Sequence, residues 1–176
     1  SLGDPDRIAT LFLAILDRET SQVEYASAGH EPALVWRERE RRVECLEPNG
    51  PAVIAGIPGA SSAARLDLDV GDVLVLFTDG LPDAHPCRGA DLLGVERVAS
   101  LLAKHHAENP PAILNAFYEA AVEHSRGNLR DDIALIALRR LAGTACAGEY
   151  VFVEPPALGR GPCPIPHPGA APPPEE

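Results

Sequence analysis

The sequence predicts an α+β fold built mostly from antiparallel strands. Three observations predict it. Runs of strand length, either alternating or wholly apolar, fill most of residues 8–77. Two stripes of apolar residues with helical period follow, and a final apolar run, residues 133–138 (IALIAL), comes after them. The chain has 176 residues, 45% of them hydrophobic, enough for one domain with a buried core.

Each element has its own signal. Residues 8–16 (IATLFLAIL) are an apolar run of strand length, and the polar stretch 17–21 is a turn. Residues 22–28 then alternate, with Val23, Tyr25 and Ser27 on one face, which completes a β-hairpin pattern. Gly29-His30-Glu31-Pro32 interrupts it. Residues 33–36 (ALVW) resume a strand, the charged run 37–42 (RERERR) reads as a solvated turn, and residues 43–46 (VECL) return. Gly and Pro make a loop of residues 48–59. A second hairpin is expected next: Ala64, Leu66 and Leu68 alternate with charges, Gly71-Asp72 turns, and residues 73–77 (VLVLF) are apolar on both faces. Leu92, Val95, Val98, Leu101 and Leu102 mark one helix; Ile113, Leu114, Phe117 and Ala121 mark another. Asn109 is placed to cap the second helix, Pro110 suits its first turn, and Gly127 lies past its end.

From Leu141 the composition changes. Residues 149–154 could add one short strand, and residues 155–176 hold nine of the 18 prolines. The expected division is therefore an ordered domain over residues 1–141 and an Ala/Gly/Pro-rich tail over 142–176, mostly disordered.

Composition narrows the partners. Fifteen basic against 26 acidic residues give a net charge of −11, which argues against nucleic acid or an anionic membrane surface. No apolar run approaches the roughly 18 residues of a membrane span, and the first residues have neither the basic nor the apolar region of a secretory signal. A cytoplasmic protein is expected, with Cys45, Cys87, Cys146 and Cys163 as reduced thiols, since none shows zinc or C-x-x-C spacing. Thiol catalysis through Cys87 lacks the loop it would need, because Cys87-Arg88-Gly89 is only a fragment of a phosphate cradle.

Two carboxylates stand at strand ends: Asp79 after the apolar run 73–77, and Asp131 before the run 133–138. If those strands are antiparallel neighbours, both carboxylates emerge at one end of a sheet. Paired carboxylates there are costly unless a cation neutralises them, and hard cations such as Mg²⁺ and Mn²⁺ take oxygen ligands. The same residues also fit ordinary turn chemistry.

The strings ATLFLAILD, YASAGHEPALV, GDVLVLFTDGLPDA and LRDDIALIALR, in this order, resemble the PPM (type 2C) serine/threonine phosphatases of the SpoIIE/RsbU branch. The resemblance covers residues 7–139. It implies an antiparallel β-sandwich flanked by helices, with a Mn²⁺ or Mg²⁺ pair whose activated water attacks a phosphoserine or phosphothreonine phosphorus directly. Asp79 matches the metal-ligating Asp of the TDG motif, and Asp131 the ligand of the final D-D motif; Asp132 matches the adjacent, non-ligating position. The Ala28-Gly29-His30 segment matches a branch signature to which no chemical role attaches. Ala134 stands where the branch usually has Thr, and Pro82-Asp83 replaces Thr-Glu.

A larger departure concerns the N-terminal half of the family domain, which carries a metal-bridging Asp in a segment like DVSGHG and has no counterpart here. The resemblance therefore implies a partial domain, probed by two expectations. One is a phosphatase of a sigma-factor regulatory pathway, acting on a phosphorylated anti-sigma-factor antagonist and inactive as this fragment alone. The other is a non-catalytic interaction module derived from a degenerate phosphatase. In either case the missing strands should leave an exposed sheet open to self-association.

Overall fold

The computed structural model describes residues 8–17, 19–54, 59–143 and the strand Cys146–Val153. Ten strands and two helices occur among them: β1 (Ile8–Ala9), β2 (Leu11–Leu16), β3 (Gln22–Ala28), β4 (Ala33–Arg37), β5 (Arg42–Leu46), β6 (Val53–Ile54), β7 (Ala64–Asp67), β8 (Val73–Phe77), α1 (Val95–His105), α2 (Pro110–His124), β9 (Ile133–Arg140) and β10 (Cys146–Val153). They form a five-stranded sheet ordered β10-β9-β8-β4-β5, a three-stranded sheet ordered β2-β3-β7, and the small pair β1-β6. All these strand pairs are antiparallel. The extra strand expected at residues 149–154 begins earlier, at Cys146, and pairs along β9. Residues 154–176 lie outside the described residues.

Side-chain alternation decides the layers. In β8, Val73, Val75 and Phe77 join Val98 and Leu102 of α1 and Ile113, Leu114, Phe117 and Ala121 of α2 in one buried cluster. Leu74 faces the other way, into a cluster with Val23, Ala33, Val35, Leu46, Leu66 and Leu68, against which Leu76 packs. The five-stranded sheet is thus covered by helices on one face and by the three-stranded sheet on the other. Each fully buried Leu, Val or Phe contributes roughly 1.5–3 kcal/mol.

One expected hairpin is not formed. β7 pairs with β3, whereas β8 pairs with β4 and β9. The reason lies in the pattern itself: β7 buries only one face, Leu66 and Leu68 being covered, while β8 needs cover on both. The turn at Gly71 therefore carries the chain from one layer to the other.

Helix punctuation follows the sequence. The Asn109 side chain accepts a hydrogen bond from the Ala112 amide at 2.9 Å, with Pro110 in the first turn. Gly127, at φ 77°, donates to the Val122 carbonyl at 2.8 Å, the left-handed exit that glycine favours.

Asp72 and Arg37, read from sequence as turn residues, instead form a buried anchor. The Asp72 carboxylate is 1% exposed and accepts from Arg37 (2.9 Å), from the Glu38 amide (2.9 Å) and from the Asp69 amide (3.1 Å). Arg37 also donates to Glu44 at 2.6 Å. This network joins β4 and β5 to the chain entering β8.

Two further features bear on the sequence reading. β2 is an edge strand, and its Leu11, Leu13 and Ile15 are more than half exposed, so an uncovered apolar face is present as expected. Cysteine chemistry needs a correction, because Cys87 is disulfide-bonded rather than a reduced thiol. Spacing rules test only sequence-local pairs, whereas Cys87 sits buried in a loop where a distant sulfur can meet it. Cys45 is free, and burial, then its bond to Glu47, pushes its thiol up to about 11.

Asp72→Ala would leave the Arg37 guanidinium and two amides without their acceptor. A loss of roughly 3 kcal/mol is expected, read as a lowered urea midpoint with an unchanged m-value; a midpoint within error of the parent would rule out the anchor.

Candidate functional site

β8 and β9 are antiparallel neighbours, with Phe77 opposite Leu135. Continuing that register, Thr78 meets Ala134: its amide donates to the Ala134 carbonyl at 3.1 Å. The Thr78 hydroxyl accepts from the Ala134 amide (2.9 Å) and donates to the Asp132 carbonyl (3.0 Å). One side chain thus ties the loop after β8 to the loop before β9. Gly80 completes the junction. A Cβ there would stand 2.4 Å from the Asp132 carbonyl oxygen and 3.3 Å from the Asp131 carbonyl carbon. Asp79 and Asp131 are consequently brought to the same end of the same sheet. Both are exposed. The Asp131 carboxylate accepts from the Asp132 amide at 2.8 Å.

Asp79 also borders a small cavity of about 60 Å³ with Thr10, Gly29, His30, Glu31 and Thr78. His30 is held there by the Thr10 hydroxyl at 3.2 Å and lies near the Phe12 ring, with centroids 6.3 Å apart. Gly29 makes the approach feasible: at φ 60°, with Ala52 2.7 Å from where a Cβ would be, no other residue fits without displacement. Burial lowers the His30 pKa, and the Asp79 charge opposes that shift. Burial raises the Glu31 pKa, and the nearby Asp83 and Asp79 carboxylates raise it further. The His30 ring thus shares a cavity with Asp79. Glu31 and Thr10 carry no site signal of their own in the sequence, and Asp83 stands out there only within the Pro82-Asp83 departure. The one available signal was that Glu31 follows the Gly29-His30 break directly.

The donors suit a hard divalent cation in kind, since the facing groups are carboxylates and hydroxyls. They do not suffice in number. Among the described residues, no group of three or more His, Cys, Asp or Glu side chains could hold a metal ion. Each such ion wants about six oxygen ligands, so these residues do not form a complete centre.

Gly80→Ala tests the junction. The added methyl must push the Asp131-Asp132 backbone away, and overpacking of this kind costs roughly 1–3 kcal/mol. A lowered thermal midpoint is expected, together with loss of amide-exchange protection at Ala134. Unchanged protection there would sink the close approach.

Residues 2–141 match the sequence family described as Stage II sporulation protein E (SpoIIE). Phosphoserine phosphatase RsbU of Bacillus subtilis (strain 168) is 29% identical over 139 residues, which cover 78% of this chain and 40% of that protein. Among solved structures, the SiaA-PP2C domain of Pseudomonas aeruginosa superposes with a TM-score of 0.62 at 24% identity, covering 74% of this chain and 50% of that one. The Mn-presoaked phosphatase domain of SpoIIE from Bacillus subtilis does so with a TM-score of 0.60 at 18% identity, covering 77% and 58%. At such identities the superpositions establish the fold alone. The antiparallel sandwich flanked by helices is the fold of these PP2C domains. No helix among the described residues is long and apolar enough to cross a membrane. The chain belongs to the SpoIIE family and carries part of its PP2C-type phosphatase domain, spanning less than two thirds of the length of the relatives it matches.

Proposed function

We propose that this chain is the part of a cytoplasmic protein phosphatase that supplies Asp79 and Asp131 to a Mn²⁺ or Mg²⁺ centre. The reaction is hydrolysis of phosphoserine or phosphothreonine on a protein, by analogy with the phosphoserine phosphatase RsbU. The substrate in this reading is a phosphorylated antagonist of an anti-sigma factor. The observation that carries it is the Thr78–Gly80 junction, which brings both aspartates to one sheet end within the family-matched residues. Each ion wants about six oxygen ligands, more than two carboxylates supply, so the chain by itself is expected to be silent.

A second reading, a non-catalytic interaction module, draws on the apolar face of β2, where Leu11, Leu13 and Ile15 are exposed. Such a patch fits a protein partner or a second copy. Its activity would not depend on Asp79.

Two assays separate these readings. The 176-residue chain, shown to be folded by circular dichroism, is expected to hydrolyse p-nitrophenyl phosphate with Mn²⁺ no faster than with EDTA. Replacing the matching region of RsbU by residues 8–140 of this chain should give Mn²⁺-dependent turnover that Asp79→Ala lowers roughly 100-fold or more. Turnover by the chain alone, lost in Asp79→Ala, would show that its own residues complete the centre. A folded but silent chimera would count against the phosphatase reading and for the interaction module.

A further inference from the structure

The apolar stripe of α1 is wider than the core uses. Val98 and Leu102 are fully buried, but Leu101 is only partly so, and Leu92, just before the helix, is 48% exposed. Leu101 lies along a groove of about 700 Å³ between α1, α2 and residues 86–93, whose lining includes neither Asp79 nor Asp131. Pro86 and Leu93 continue its apolar surface. That volume is within the roughly 300–1,000 Å³ of ordinary binding clefts.

Charge is divided between the walls of this groove. The α1 wall carries two cations, Arg97 and Lys104, both exposed. Among the described residues neither has an ion-pair partner; Arg97 donates to the Leu92 carbonyl at 3.3 Å. The acids of the lining stand elsewhere, Asp91 on the loop and Glu123 on α2. A cationic wall is a local reversal in a chain of net charge −11, of which Lys104 is the only lysine.

Spacing selects the occupant. Arg97 and Lys104 are seven residues apart, about 10 Å along one face of α1, with Leu101 between them. In an extended strand, residues on one face lie about 7 or 14 Å apart, so a strand cannot meet both cations from one face. Helical residues seven apart match the 10 Å spacing, and the apolar residues of an amphipathic helix fall between them at the third and fourth positions. A second copy in a two-fold arrangement would instead set cation against cation.

We propose that the α1 wall of this groove docks an acidic amphipathic helix of a partner protein. Two carboxylates of that helix, seven residues apart, meet Arg97 and Lys104, and the apolar pair between them covers Leu101. Burial of Leu101 and Leu92 supplies the attraction. The exposed ion pairs add little strength, but they fix partner choice and orientation.

The inference is independent of the phosphatase reading, and its test uses no activity. The probe is a fluorescein-labelled helical peptide of about 15 residues, with Glu at two positions seven apart and Leu at the third and fourth positions between. Its twin has Lys in place of both Glu. Anisotropy is expected to rise to saturation when the full chain is added to the Glu peptide, with the Lys peptide at least about fivefold weaker. In Arg97→Glu/Lys104→Glu that preference should reverse. Both positions are exposed, so the circular dichroism of the variant should match the parent. Zero-length carbodiimide coupling then locates the peptide, because Lys104 is the only lysine: a Lys104–Glu link to the peptide is expected. Equal binding of the two peptides, no saturation below about 1 mM, or a preference unchanged in the double variant would overturn the proposal. So would coupling of Lys104 only to a second copy of the chain.

Discussion

β8 carries no polar side chain between Asp72 and Thr78, so both of its faces must be covered for it to exist. That demand organises the molecule. Helices α1 and α2 close over Val73, Val75 and Phe77, and the three-stranded sheet closes over Leu74 and Leu76. β4 and β9 satisfy its backbone on either side. Polar groups are admitted only at its two ends, and each end holds them by hydrogen bonds. At one, Asp72 receives Arg37 and two amides; at the other, Thr78 stitches the loop that carries Asp131.

The two ends differ in chemistry because they differ in cover. The Asp72 carboxylate is buried against a guanidinium and has both oxygens engaged by hydrogen bonds, which makes it a structural group. Asp79 and Asp131 are exposed, and Glu31 and Asp83 add negative charge nearby. The two loops meet closely because Gly80 leaves no room for a side chain beside the Asp131-Asp132 backbone.

The candidate site and the uncovered strand adjoin. Thr10, between β1 and β2, reaches the cavity shared by His30 and Asp79, while Leu11, Leu13 and Ile15 lie exposed just beyond it. Polypeptide that covers β2 would therefore also wall the cavity. The chain spans 58% of the SpoIIE phosphatase-domain structure it superposes on.

Sequence by itself determined the elements whose signal is local. The capped helix α2, the apolar strand β2, the alternating strand β3 and the doubly apolar β8 follow from side-chain pattern and from Asn109, Pro110 and Gly127. It also placed Asp79 and Asp131 at strand ends, because an abrupt change from apolar to acidic is visible in one dimension. Tertiary structure alone decided what depends on partners far along the chain. It assigned β7 to a different sheet from β8, since one buried face and two buried faces need different neighbours. It turned Arg37 and Asp72 from turn residues into an ion pair whose carboxylate is buried, 35 positions apart. It brought Thr10, His30 and Glu31 beside Asp79, and it gave Cys87 a bonded sulfur. Period and punctuation report what each residue does to its own segment; which segments meet is set by packing.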